Sequence, residues 1–99
     1  MAKLSNKNSG GTSFFGITIE TTLNKLCSVL GEPQIMNNDG SDKTNIDYTC
    51  ELENGDVFTI YDWKEYRPIW SDEYISFHIG ANSEAISIMA KNELQKQGV

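Results

Sequence analysis

A chain of 99 residues is one domain with a single modest core, too short for a second. An apolar fraction of 38%, with Phe 4, Tyr 4 and Trp 2, sets it apart from disordered chains. A formal charge of -6 repels a phosphate backbone, which argues against direct nucleic-acid binding and leaves a basic protein as a suitable macromolecular partner.

Residues 1–11 read Met-Ala-Lys-Leu-Ser-Asn-Lys-Asn-Ser-Gly-Gly, a polar stretch expected to be a flexible arm, with the domain proper over residues 12–99. It lacks the apolar run of a secretory signal, and nothing later approaches the roughly 18 apolar residues of a membrane span, so no membrane partner is expected. Cys27 and Cys50 sit inside apolar patterns and read as reduced core residues. From Ser13 to Ile19 the aromatic and β-branched residues predict a strand, interrupted by Gly16, which marks a bulge or a close approach. Thr21 or Thr22 caps a helix whose stripe is Leu23, Leu26, Cys27 and Leu30, stopped by Gly31 and Pro33. The following Asn37 to Asp42 is a loop by composition. It is not a calcium loop, because Ile35 and Ile46 occupy ligand positions.

From Asn45 the alternation of Ile46, Tyr48, Cys50 and Leu52 predicts a half-buried strand, and Asn54-Gly55 a two-residue hairpin turn. That turn sets Leu52 opposite Val57, Cys50 opposite Thr59, Tyr48 opposite Tyr61 and Ile46 opposite Trp63. Tyr61 and Trp63 are then core, while Phe58, Ile60, Asp62 and Lys64 form a second face that needs a cover. The same register sets Asp47 against Asp62, a like-charge pair needing relief from Lys64 or Arg67. Residues 65–73 carry Tyr66, Arg67 and Trp70, residue types that dominate contact energy at interfaces. A strand over Tyr74 to Ile79 and a helix capped by Asn82 or Ser83, with Ile86, Met89, Ala90 and Leu94 buried, complete the order β-α-β-β-β-α. The fold class is α+β, a small antiparallel sheet with helices.

Catalytic patterns are weak. Asp62-Trp63-Lys64 has the acidic-x-Lys form of a metal-dependent nuclease, but the chain is small and its charge opposes DNA. His78, the one histidine, lies beside Ser76 on a strand, where the hydroxyl points alongside the ring and not at it. Gly10-Gly11-Thr12-Ser13 lacks the Gly-Lys-Ser/Thr of a P-loop. No enzyme activity, metal or cofactor is expected.

Four pieces taken together carry a resemblance: Gly11-Thr12-Ser13 with Gly16, Leu30-Gly31-Glu32-Pro33, Thr59-Ile60-Tyr61-Asp62-Trp63-Lys64, and Phe77-His78-Ile79-Gly80. They resemble, in the same order, the Gly-Thr-Ser, Phe-Gly-Glu-Pro, Ile-Tyr-Asp-Trp/Tyr-Lys and Trp-His-Ile-Gly motifs of a family of small proteins of tailed bacteriophages. Here Leu30 stands where Phe is usual, Phe77 where Trp is usual, and Tyr48 where Trp is common. The resemblance implies phage origin, action in the host bacterial cytoplasm and an accessory, anti-defence role. The expectation is a protein that binds and sequesters a nucleotide-type immune signalling molecule without turning it over. Thr12, Ser13, Lys64, Arg67 and His78 would donate to phosphates, Tyr66 or Trp70 would stack a base, and Asp62 would stand beside Lys64. Phe58 and Ile60 on an outer face would favour a homo-oligomer. The alternative is an acidic protein-protein inhibitor of a defence complex, CRISPR-type or other.

Overall fold

The alternating apolar residues pair into one antiparallel sheet, seen in a computed structural model that describes residues 1–41 and 43–99. Its longer strands are β2 (Ser13–Thr21), β4 (Ile46–Glu51), β5 (Val57–Tyr61) and β6 (Ile75–Ala81). Two short strands that composition did not predict, β1 (Lys3–Leu4) and β3 (Ile35–Met36), both pair with the outer side of β4. The sheet order is β1-β4-β5-β6-β2, with helices α1 (Leu23–Leu30) and α2 (Glu84–Lys96) packed into the same core. The α+β class is as expected.

α1 starts where the Thr22 hydroxyl accepts from the Lys25 N–H at 3.1 Å, and ends where the Gly31 N–H donates to Cys27 O. Leu23, Leu26 and Leu30 are buried, and the Tyr48 hydroxyl donates to Gly31 O at 2.8 Å, tying the helix end to β4. α2 is capped by Ser83 and lies over β2 and β6. Its buried stripe is Ser87, Ala90 and Leu94, whereas Met89 is 46% exposed. This corrects the expected stripe at Met89 alone: Ala90 and Leu94 are buried and Ile86 packs against the core as expected, and Ser87 takes the remaining inward position.

The hairpin between β4 and β5 differs from the expectation by one residue, with consequences for the whole sheet. Leu52 N–H donates to Asp56 O, Gly55 N–H donates to Leu52 O, and Gly55 has a φ of 91°. The connection is therefore a three-residue loop, Glu53-Asn54-Gly55, with glycine in the left-handed position that such loops require. An odd loop shifts the register, so Tyr48 pairs with Ile60, Cys50 with Phe58 and Asp47 with Tyr61. A shift of one residue exchanges the two faces of a strand. Phe58, Ile60 and Asp62 thus enter the core fully buried, and Tyr61 and Trp63 move to the face without helices. The outer apolar face that pointed to a homo-oligomer does not exist in this register.

The first residues are not a free arm. Lys3 and Leu4 pair with Glu51 and Cys50, and Ala2 and Ser5 are buried. Side-chain amides complete the pairing: Gln97 accepts from the Ala2 N–H and donates to Ala2 O, at 2.6 and 3.1 Å. Gln34 fills the gap between β1 and β3, accepting from the Thr49 N–H and donating to the carbonyls of Thr49 and Ser5. A primary amide can do this because it carries a donor and an acceptor side by side, as a peptide does.

Candidate functional site

The helix-free face of the sheet carries Asp47 and Thr49 from β4, Thr59 and Tyr61 from β5, and His78 from β6, aligned by cross-strand pairing. Trp63 follows β5 on the same side. A groove of about 340 Å³ lies here, lined by Asp47, Thr49, Thr59, Tyr61 and Trp63 and walled by Ser9 and Thr12 at one end. That volume is at the lower end of small-molecule sites. The wall is fixed by the Thr12 hydroxyl and N–H, both donating to Ser9 O.

Four rings cluster on this face. Phe14 stacks on His78 with centroids 3.9 Å apart and planes 10° from parallel; Tyr61 meets His78 edge-on at 5.4 Å; Trp63 lies 6.0 Å from His78. Trp63 is nevertheless 41% exposed. Phe14 reaches the cluster because β2 bulges: Phe15, Gly16 and Ile17 stand against Ile79 alone, between the Phe14–Gly80 and Thr18–His78 pairs. Gly16 takes a φ of 84° there, as its position in the strand implied. Burial lowers the His78 imidazole below its usual range, which favours the neutral ring.

Asp47 brings a carboxylate into this setting. Burial, and next the charge of Asp62, push its carboxyl up to about 6. Such a carboxyl binds its proton more tightly folded than unfolded, so ionised Asp47 destabilises the fold. The penalty is present above pH ~6 and relieved as pH falls toward the unfolded value of 3.8. Asp47→Asn should therefore remove it, raising unfolding free energy by about 1 kcal/mol at pH 7.5 after allowance for solvent screening, with the advantage shrinking by pH 5. Urea denaturation of the two proteins at both pH values measures this; equal differences at the two pH values would contradict it.

The expected site residues divide into four groups. Thr12, Lys64 and His78 are at or beside the groove, with the Lys64 ammonium 5.5 Å from the centre of the Trp63 ring. Ser13 begins β2 opposite Ala81 and is exposed, outside the groove lining.

Asp62 is a correction: it is fully buried and holds the chain together. Its Oδ1 accepts from the N–H groups of Asn45 and Ile46 at 2.7 and 2.9 Å, and its Oδ2 from Asn45 Nδ2 at 3.0 Å. Buried Asn45 passes the connection on, donating to Arg67 O and accepting from the Gly40 N–H. Gly40 is needed at that contact, since a Cβ there would stand 2.6 Å from Arg67 Cα.

Tyr66, Arg67 and Trp70 form the fourth group and do not line the groove. Their loop is anchored by buried Ile69, whose N–H and carbonyl both bond to the Asn38 amide. Tyr66 is 54% exposed and Trp70 74%. The Arg67 guanidinium is engaged by both oxygens of Glu73 and approached by Glu65, so it is not a free phosphate donor.

Tyr61, Trp63 and Asp47 are among the groove residues that the expected site left out, the first two because the expected register buried them. The signal available was the amphipathic alternation itself. Pairing Phe58 and Ile60 with Cys50 and Tyr48 collects the hairpin's fully apolar side chains except Val57 on one face and leaves Tyr61 and Trp63, rings with polar atoms, on the other.

Among the described residues no helix is long and apolar enough to cross a membrane. No family model, curated protein or solved structure matches this chain.

Proposed function

We propose that the protein binds and sequesters a nucleotide-type signalling molecule on its helix-free sheet face, without turnover. The observation that carries this reading is the half-exposed Trp63 ring at a groove that also holds Tyr61, Asp47 and hydroxyl side chains. A base stacks on an aromatic face whatever its sequence context, and hydroxyls and a carboxylate fix its polar edge. Lys64, at the Trp63 ring, is the cation placed for a phosphate, a smaller donor set than the motifs implied. The phage origin, host cytoplasmic location and anti-defence role in this proposal rest on the motif resemblance.

A thermal-shift panel of cyclic di- and trinucleotides and adenosine-diphosphate-ribose derivatives tests it. Ligand at 100 times its dissociation constant adds ~2.7 kcal/mol, which in a domain this small raises the melting temperature by roughly 10 °C or more. Flat curves across the panel would end the reading.

A second reading is favoured by one separate observation. Tyr66, Trp70 and Tyr74 stand exposed on a loop with Asp72, where Arg67 balances Glu65 and Glu73, an aromatic surface suited to a partner protein. On that reading the protein is an inhibitor of a defence complex, and the panel gives no shift.

A further inference from the structure

We propose that Asp47 makes the groove selective for a guanine-type base, an inference that rests on the nucleotide reading above. Asp47 lies on the open side of β4, with Ile35 beside it on β3 and Tyr61 beside it on β5. It shares the groove with Trp63. Asp47 lines the groove, and none of the ion pairs among the described residues, which Glu51, Glu53, Glu65 and Glu73 make, engages its carboxylate.

An ionised carboxylate only accepts hydrogen bonds, and its two oxygens lie side by side, so its complement is a pair of parallel N–H donors. Among the common bases in their neutral forms, guanine presents such a pair, N1–H with the 2-amino group. Adenine and cytosine each place a ring acceptor beside their amino group, which would meet the carboxylate lone pair to lone pair. Uracil places its single N–H between two carbonyls. Half-burial sharpens the choice, because a partly desolvated carboxylate facing a ring acceptor is left unpaired. The indole of Trp63 supplies the stacking surface, and Asp47 reads the edge.

Calorimetric titration of the full chain with cyclic di-GMP, its inosine and xanthine analogues, and cyclic di-AMP tests this on the wild type and Asp47→Asn. Wild type should bind the guanine compound about tenfold or more tighter than the inosine or adenine compound, since inosine lacks the 2-amino donor. Asp47→Asn should lose that preference and gain the xanthine analogue, whose N1–H and 2-oxo group match one acceptor and one donor of the amide. This gain cannot come from a misfolded variant. Adenine binding as tight as guanine, or a guanine preference that survives Asp47→Asn, overturns the inference alone. So does failure of all four compounds where an adenine compound of the thermal-shift panel still binds. A panel flat throughout overturns the nucleotide reading with it.

Discussion

Replacing Asp62 by alanine should lower the unfolding free energy by about 3–5 kcal/mol, a large share of the stability of a domain this size. The carboxylate is fully buried and accepts from the N–H groups of Asn45 and Ile46 and from the Asn45 side chain. Alanine leaves all three donors inside without their acceptor, and each orphaned buried group costs about 1–3 kcal/mol. The Asn45 amide also links Gly40 to Arg67, so the damage should spread through both loops. Asp62→Asn keeps the shape but turns one acceptor into a donor, and should cost about half as much. Urea unfolding followed by circular dichroism measures both variants. A loss below about 1 kcal/mol for Asp62→Ala would show that water or another group replaces the carboxylate.

Replacing Trp63 by alanine should weaken binding of whichever nucleotide the panel identifies by roughly 30-fold, a stacking contribution of about 2 kcal/mol. Because Trp63 is 41% exposed and outside the core, melting without ligand should move little. Trp70→Ala is the matched control: it removes an exposed indole of the other surface and should leave that affinity unchanged. The reverse pattern, binding lost with Trp70 and kept with Trp63, would transfer the site to the Trp70 loop. Lys64→Ala tests the phosphate end in the same titration.

Both helices and the four long strands were legible in the sequence, and each cap was narrowed to two neighbours, of which the structure uses Thr22 and Ser83, because each rests on local periodicity and a local hydrogen bond. The groove was less so. Its composition depends on which face Tyr61 and Trp63 occupy, and that turns on whether the hairpin loop has two residues or three. Asn54-Gly55 suits either, since glycine can take the left-handed position in both. The bonds from Gln34 and Gln97 to residues 2–5 were not legible at all, being contacts between distant parts of the chain. The same holds for Asp62 with Asn45: sequence shows an acid and an amide 17 positions apart, with nothing to say that a strand register brings them together.

The bulge in β2 acts on more than Phe14. A bare aromatic sheet face invites copies of a protein to join strand to strand into extended assemblies, and the sheet closes off that route at both margins by different means. On one side β1, the Gln34 amide and β3 occupy the outer edge of β4 in turn. On the other, the bulge at Gly16 breaks β2 into two pieces, Ser13–Phe14 and Thr18–Thr21, each in step with β6 but out of step with the other. An incoming strand would find a template interrupted by the bulge, whose two pieces no single regular strand can follow. The aromatic face can therefore remain uncovered in a concentrated solution, at the cost of the regular pairing that an unbroken β2 would have made.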